Sequence, residues 1–176
     1  LSLSANDISI LPDSLFKNNK ELRILSITDN ALVKLPSSLS SASNLENLGL
    51  GNNRLTNLPD YVGEFASLKQ LDLKFNNISK INEDTWKNLA KRDGLKIDLI
   101  HNNLTSLPSL EDVKFASLDV AANMLPAEIP DSYKALKIGE KNQGGYYAQR
   151  SPVDYNITAK NGKVEFSNKK DMNILD

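Results

Sequence analysis

The segment from Leu45 to Pro59, LENLGLGNNRLTNLP, decides the fold of this chain. It combines a short alternating apolar run with an asparagine turn and a Leu-Pro pair. The constrained positions are Leu45, Leu48, Leu50, Asn53, Leu55 and Leu58-Pro59. Alternation of leucines with polar or small residues is typical of a short strand with one buried side. The segment therefore predicts a strand, a turn and the start of a return limb.

This pattern recurs along the chain at a nearly constant interval. Its copies align on six structural asparagines, Asn6, Asn30, Asn53, Asn76, Asn102 and Asn123. Successive asparagines are 24, 23, 23, 26 and 21 residues apart. Self-similarity at such a period indicates a solenoid, in which each unit buries its apolar face only by stacking on its neighbours.

The spacing assigns a role to each position of the repeat. The leucines of the alternating run point inward, so that stacked units form one parallel sheet. Each asparagine is expected to satisfy buried backbone groups of its turn and of the neighbouring unit. In the fifth copy Gly94 falls at the first leucine position. The convex side of the core is predicted to be closed by Leu15, Leu39, Val62, Phe65, Trp86, Leu89, Leu110 and Val113.

These residues resemble the leucine-rich-repeat family over residues 1 to about 142. The continuation Leu35-Pro36-Ser37-Ser38-Leu39 is similar to the 23-residue subtype, which occurs in bacterial surface proteins and intracellular signalling scaffolds. The resemblance implies an α/β right-handed solenoid with a curved parallel β-sheet on its concave face. Short helices, 3-10 turns or irregular return limbs would form the convex face. It also implies a binding function, usually through the concave sheet.

The repeat pattern weakens after Leu125, which predicts two regions. Residues 1–142 would form the solenoid, with about six repeats and a degraded terminal repeat around Ile129-Pro130. An atypical last unit is expected where stacking stops, because the outer face then meets solvent. Residues 143–176 have a different sequence pattern, without the repeat, and would form a separate β element.

That C-terminal element reads as a β-hairpin. Two alternating runs flank Asn161-Gly162, and Asn-Gly in this setting is the strongest short-range hairpin signal. A two-residue turn would pair Lys160 with Lys163 and Ile157 with Phe166. Because a lone hairpin is marginal in water, we expect it to cap the last repeat. The alternative is the start of a further β module.

Composition limits the classes of function. Lys plus Arg number 21 against 22 for Asp plus Glu, so the formal net charge of −1 gives no basic footprint for nucleic acid or an anionic membrane. No apolar run approaches the ~20 residues of a membrane-spanning helix, so no membrane insertion is expected in this segment. Cysteine is absent, which excludes disulfides, thiolate metal sites and cysteine nucleophiles. We expect no cofactor, and a monomer is favoured over an oligomer.

The start of the sequence carries its own expectation. Leu1 lies inside a repeat, and no basic stretch followed by an apolar one opens the chain. We therefore expect further residues upstream and no signal peptide within this segment.

An acidic column is predicted on the concave face in the C-terminal half of the array. Asp72, Asp98 and Asp119 occupy the same repeat position, so they should stack about 4.8 Å apart on adjacent strands. Like charges so placed repel unless a cation relieves them. Three interpretations remain open: a solvated acidic face that Lys74 partly neutralises, a site for a basic partner, or a bound ion such as Ca²⁺. Other oxygen ligands for a metal are not evident, and no metal site is predicted.

A second predicted cluster consists of Phe75, Ile100 and His101, also on the outward columns of the concave face. An exposed aromatic residue beside an exposed isoleucine is typical of a binding surface. The alternative is that Phe75 packs on the edge of the sheet. His101 is the only histidine and a poor metal site without cysteine, so we interpret it as a surface contact.

A third candidate set lies in the segment before the hairpin. Tyr146, Tyr147 and Arg150 are residue types that contribute much of the energy of protein interfaces. The alternative is that the two tyrosines wedge the hairpin against the last repeat.

The sequence thus predicts a non-catalytic module that binds another protein through the concave sheet and the C-terminal edge. A bacterial surface or envelope protein, extracellular or on the cell surface, is the preferred setting. An intracellular, cytoplasmic signalling scaffold is the alternative. A hydrolase using paired aspartates is a remote alternative, because an open sheet offers no enclosed pocket to raise one pKa and exclude water.

Overall fold

The chain folds into a stack of parallel strands joined by return limbs. The computed structural model describes residues 1–108, 113–126, 155–160 and 163–168. Each strand of the parallel sheet pairs with the next in chain order. The five strands are β1 (Ile24–Ser26), β2 (Asn47–Gly49), β3 (Gln70–Asp72), β4 (Lys96–Asp98) and β5 (Ser117–Asp119). The first repeat joins the edge through an isolated parallel bridge between Ser2 and Ser26.

The strand register places the core leucines in rows, as the repeat predicts. The central row is fully in register and buried: Leu25, Leu48, Leu71, Ile97 and Leu118. A second buried row follows two residues later: Ile27, Leu50, Leu73, Leu99 and Val120. A fully buried residue of this kind contributes about 1.5–3 kcal/mol, so the rows supply a large part of the stability.

The structural asparagines form a continuous hydrogen-bond ladder between repeats. Asn76 Nδ2 donates to the carbonyls of Leu73 at 3.0 Å and of Leu50, in the preceding repeat, at 2.9 Å. Its Oδ1 accepts the N–H of Leu55 at 2.9 Å. The same bonds recur at Asn30, Asn53, Asn102 and Asn123. Asn6 is exposed, and its side chain donates to Leu3 and Ser4 of its own turn, with no side-chain bond to the next repeat among the described residues.

The return limbs differ in length and in helix type. Two of the described limbs contain 3-10 helices, Ser37–Ser41 and Asp60–Glu64, and another contains the α-helix α1, Glu83–Ala90. The N-cap of α1 is Asn82, whose side chain accepts the N–H of Asp84 at 2.9 Å. This limb lies in the longest interval between structural asparagines, which leaves room for two turns of α-helix.

The limbs close the convex side of the core with one correction to the sequence prediction. Leu39, Val62, Phe65, Trp86 and Leu89 are buried, and Trp86 meets Phe115 edge to face at 5.6 Å. Val113 is partly buried against the core, whereas Leu110 lies outside the described residues.

The prediction for Leu15 is wrong, because its side chain is 41% exposed and Phe16 fills the core instead. In this limb the chain makes a tight turn, in which the N–H of Leu15 donates to Pro12 O at 3.0 Å. With this turn the residue that faces the core is Phe16, one position later than Leu15. The N–H of Phe16 then donates to Ser38 Oγ of the next limb. Spacing alone does not reveal such a turn.

The fifth repeat carries a second correction. Gly94 does not occupy the first core position; it lies in a turn with φ of +77°, and nothing lies within 4 Å of where its Cβ would be. Leu95 is fully buried and fills the core there. Glycine suits this turn because it adopts positive φ without steric cost.

The C-terminal strands pair as the sequence predicts. β6 (Tyr155–Lys160) and β7 (Lys163–Asn168) are antiparallel, with Lys160 opposite Lys163 and Ile157 opposite Phe166. The turn residues Asn161-Gly162 and the degraded repeat around Ile129-Pro130 lie outside the described residues. Whether the hairpin is a cap or part of a further module stays a prediction.

Within the described ranges, no helix combines the length and apolar character that crossing a bilayer requires.

Candidate functional site

The acidic column exists as an in-register row on the concave sheet. Asp72 on β3 pairs with Asp98 on β4, and Asp98 pairs with Asp119 on β5. We call these three residues the acidic row. Their partners in β1 and β2 are Ser26 and Gly49, so the carboxylates begin only at the fourth repeat.

Each carboxylate of the acidic row is anchored by the backbone two residues later. The Oδ1 atoms of Asp72, Asp98 and Asp119 accept the N–H groups of Lys74, Ile100 and Ala121 at 3.2, 3.0 and 3.1 Å. In each case the side chain forms a turn with the backbone and satisfies an N–H group where the strand ends. One oxygen of each aspartate therefore has a structural role, and the other is left for Lys74 or a ligand.

The charge of the acidic row is only partly compensated. Lys74 Nζ lies 3.4 Å from Asp72 Oδ2, and in the described part of the chain neither Asp98 nor Asp119 has an ion pair. Burial raises the pKa of Asp98 and the charges of Asp72 and Asp119 raise it further, while the N–H of Ile100 and the charge of Lys74 lower it. Asp98, in the centre of the row, thus bears the repulsion that the register predicts.

A shallow basin of about 210 Å³ lies along the acidic row. Lys74 and Lys96 line it with the three aspartates, and Gln70 and Ser117 complete its rim. It is open to solvent along the sheet. In the described ranges, no group of three or more His, Cys, Asp or Glu side chains has a metal-binding arrangement.

A column of left-handed residues runs beside the acidic row. The residue before each structural asparagine has φ between 53° and 57°: Ala5, Asp29, Asn52, Phe75, His101 and Ala122. Non-glycine residues seldom adopt this conformation, asparagine and aspartate accept it best, and a bulky residue is an outlier. Every turn of the array therefore needs a strained residue at this position.

Phe75 and His101 use adjacent positions of this column to form a stacked pair. Their ring centroids are 4.7 Å apart and their planes differ by 14°. Phe75 remains 47% exposed and His101 is exposed too, which does not fit the alternative in which Phe75 packs on the edge of the sheet. A role of these residues in binding stays a prediction. We call these two residues the aromatic pair.

The backbone links the aromatic pair to the acidic row. The N–H of Phe75 donates to Ile100 O at 2.8 Å, and the N–H of Ile100 donates to Asp98. Ile100, the third member of the predicted cluster, is half-buried between them. The cluster and the acidic row, predicted separately from sequence, therefore form one continuous surface.

In the N-terminal half of the concave face, small polar residues and glycine occupy the column of the acidic row and the column two residues later. Ser4 Oγ lies 2.7 Å from Ser26 Oγ, which lies 3.2 Å from Thr28 Oγ1. At Gly51 an added Cβ would come within 3.0 Å of Asp72 Oδ1, so glycine leaves room for the first carboxylate of the row. In these two columns the charged side chains begin with Asp72.

One outward column and a charged row beside it were not predicted from the sequence. The residue before the central leucine of each strand faces outward, which exposes Ile24 and Lys96. One residue earlier, Glu46 bridges Arg23 and Lys69 of the flanking repeats. The alternation that gave the other columns also predicts these positions. The third predicted set, Tyr146, Tyr147 and Arg150, lies outside the described residues.

Comparisons with known proteins agree with this architecture. The sequence profile of the leucine rich repeat family matches residues 1–55 and 43–93, which together span more than half of the chain. No curated protein sequence matches.

Several solved structures have similar folds. The leucine-rich-repeat domain of a Shigella effector is 27% identical, with a TM-score of 0.57 over 74% of this chain and 51% of that chain. The leucine-rich-repeat domain of APL1B is 19% identical, with a TM-score of 0.57 over 71% and 44%. A chain of the Drosophila Toll–Spatzle complex is 21% identical, with a TM-score of 0.50 over 72% of this chain and 22% of that chain.

The present chain spans about half of the Shigella domain and less of the other two. Leucine-rich-repeat domains commonly mediate protein–protein interaction, through the extended concave surface that stacked repeats create. The match to the family profile, the parallel sheet and the asparagine ladder lead to one conclusion: this chain belongs to the leucine-rich-repeat family.

Proposed function

We propose that the chain is a protein-recognition module whose partner binds the concave sheet at repeats four to six. The observation that carries the proposal is the aromatic pair of Phe75 and His101, half-exposed on strained backbone beside the acidic row. Aromatic side chains in such positions supply large contact area and are enriched in interface hot spots.

The neighbouring repeat supports a binding role for the aromatic pair. Asn52 occupies the same position one repeat earlier, where it donates to Asp29 Oδ1 at 2.7 Å. The turn therefore accepts asparagine, the residue with less strain in the left-handed region. Placing phenylalanine there costs stability, and contact with a partner would offset that cost.

A catalytic role for the acidic row has less support. A glycosidase needs one carboxyl group of raised pKa and a pocket that excludes water. Asp98 has a raised pKa, but the basin is shallow and open along the sheet. One oxygen of each aspartate is already held by the backbone. Recognition therefore fits this surface better than hydrolysis.

We propose a bacterial surface or envelope protein as the setting, with an intracellular scaffold as the alternative. The 27% identity to the domain of a Shigella effector supports a bacterial source. Sequencing the gene upstream of Leu1 tests the setting. A signal or lipoprotein peptide there would support the envelope, whereas a signalling domain would support the scaffold.

A capture experiment tests the recognition site. The intact chain and a Phe75→Asn/Asp98→Lys variant would be compared as baits for the same extract. A matched control is Asp84→Lys, which makes the same change of charge in the exposed first turn of α1 on the convex side. We expect the control to retain a partner that the double variant loses. A partner held at full strength by the double variant would contradict the concave site and direct attention to the convex side and residues 143–176.

A further inference from the structure

We propose that the concave site is built for an arginine-bearing polypeptide segment, whose guanidinium stacks on the aromatic pair and reaches Asp98 and Asp119. This inference rests on the proposed function and specifies the chemistry of the partner. Two independent features carry it: an exposed, stacked aromatic pair, and two adjacent carboxylates that have no ion pair within the described ranges.

The aromatic pair offers ring faces to a planar cation. The stacked rings of Phe75 and His101 stand out from the turn, and Phe75 is about half exposed. A guanidinium stacks on an aromatic face through both dispersion and cation–π attraction, whereas an ammonium gains only the latter. The rings therefore favour arginine over lysine.

The acidic row offers oxygen atoms in a fixed orientation. Backbone N–H groups hold Oδ1 of Asp98 and of Asp119, so these carboxylates need little reorganisation to bind a cation. In the described ranges, no donor is bonded to the second oxygen of either. A guanidinium has five N–H donors in a rigid fork, which can address two neighbouring carboxylates at once.

The charges along the basin give the site a direction. Lys74 is committed to Asp72 at the N-terminal end of the row. Asp98 and Asp119 have no ion pair within the described ranges. Burial raises the pKa of Asp98 most, the charges of Asp72 and Asp119 raise it further, and a cation would relieve the part that comes from these neighbouring charges. The partner's positive charge is therefore expected at repeats five and six, beside His101.

A divalent metal ion fits the same oxygens less well. A calcium ion takes six to eight oxygen ligands at about 2.3–2.6 Å. The acidic row presents its carboxylates on successive strands about 4.8 Å apart, with one oxygen of each already bonded. The row thus suits a multidentate organic cation better than a small ion.

Nuclear magnetic resonance titration of the isotope-labelled chain tests the inference directly. The probes are a hexa-arginine peptide, a hexa-lysine peptide and calcium chloride, each at low and at physiological salt. We expect the arginine peptide to shift amide signals of residues 70–75, 96–101 and 117–122, and to bind several-fold more tightly than the lysine peptide. Asp98→Asn and Asp119→Asn should each weaken it about tenfold, as loss of one charge-assisted pair implies.

The matched control is Asp84→Asn, which removes the same charge from the convex helix and should leave the affinity unchanged. Equal binding of the two peptides, shifts spread over the convex acidic residues, or unchanged affinity in Asp98→Asn would each overturn the proposal. Saturable binding of calcium at the same signals would overturn it in favour of a metal site.

The outcome is separable from that of the recognition proposal. If the arginine peptide does not bind but Phe75→Asn alone abolishes capture of a protein partner, the concave site is supported and its preference for an arginine side chain is wrong. If the peptide binds as expected but capture is unaffected by Phe75→Asn, the acidic surface exists without being the partner's site, which overturns this inference as one about the partner.

Discussion

The ring of Phe75 stacks on the imidazole of His101 at a centroid distance of 4.7 Å, and both residues have φ of 53°. The two strained turns therefore present their side chains in the same direction, one repeat apart. Two bulky side chains on left-handed backbone are not required by the fold, because alanine, aspartate and asparagine occupy the equivalent turns. The solenoid needs only a residue with positive φ at this position, whereas these two repeats also place an aromatic ring there.

The strain at Phe75 can be measured by substitution. Phe75→Asn restores the residue type of the preceding turn, whereas Phe75→Val puts a β-branched side chain in the left-handed region. We expect the asparagine variant to be more stable than the valine variant by about 1 kcal/mol in urea denaturation, although both lose the ring. Because removing the stacked contact costs about 0.5–1.5 kcal/mol, the asparagine variant should stay within ~1 kcal/mol of the parent chain. Equal stability of the two variants would show that the turn is not strained.

The asparagine ladder makes a sharper prediction about stability. Asn76→Ala leaves the buried N–H of Leu55 without its partner and removes one of the two amide donors to the carbonyl of Leu50, which keeps Asn53. An unsatisfied buried group costs about 1–3 kcal/mol and a lost hydrogen bond about 0.5–1.5 kcal/mol, so we expect a loss of ~2–3 kcal/mol in the free energy of unfolding. Asn6→Ala is the matched control, because Asn6 is exposed and its side chain bonds within its own turn; the loss should stay below ~1 kcal/mol. Similar losses at the two positions would contradict a ladder that joins repeats.

The fold was predictable because the repeat samples each core position several times. The alternation around Leu48, Leu71 and Leu118 gave the register of the sheet, and the structural asparagines gave the turns. The return limbs were less predictable, since one tight turn exchanges Leu15 for Phe16 and another exchanges Gly94 for Leu95. Single local turns leave no periodic signal to average over.

The candidate site was predictable in position but not in geometry. Equivalent repeat positions placed Asp98 beside its neighbours, and the structure has that register. Stacking of Phe75 on His101 depends on φ at two turns, and the anchoring of each aspartate depends on the N–H two residues later. Such features depend on backbone angles as well as on residue type, and the spacing of the repeat does not supply those angles. Their role in binding remains a prediction.

The row formed by Arg23, Glu46 and Lys69 predicts a stabilising, pH-dependent contribution. Hydrogen bonds from Lys69 and Arg23 lower the pKa of Glu46 from its ordinary value of 4.5. The folded chain thus releases this proton more readily than the unfolded chain, so the contribution is present above pH 4.5 and is lost as pH falls through the lowered pKa. We expect Glu46→Gln to lower the melting temperature at neutral pH. That difference should vanish in acid and shrink in 1 M salt.

Glu21→Gln is the matched control for the charged row. Glu21 is exposed and has no ion pair to any residue in the described ranges, so its substitution should leave the melting temperature at neutral pH unchanged. A pH-independent loss in Glu46→Gln would show that packing, and not charge, accounts for its effect.

Asp98 should show the opposite dependence on pH. Burial and the charges of Asp72 and Asp119 raise its pKa above the ordinary value of 3.8, so the folded chain retains a proton that the unfolded chain has lost. The free energy of unfolding therefore falls as pH rises through that window, and the charge of Asp98 is destabilising above it. Asp98→Asn keeps an acceptor for the N–H of Ile100 and removes the charge.

We expect Asp98→Asn to raise the free energy of unfolding at neutral pH by roughly 0.2–1 kcal/mol, the cost of like charges placed opposite each other in a sheet. The gain should disappear near about pH 3, where Asp98 is mostly protonated in both states. Urea denaturation at the two pH values measures it, with Asp84→Asn as a control that should be slightly destabilised by losing an acidic residue in the first turn of α1. If Asp98→Asn is more stable than the parent chain and also loses affinity for the arginine peptide, Asp98 is a residue retained for binding at the expense of stability. If Asp98→Asn is less stable than the parent chain, the charge of Asp98 is already compensated within the fold.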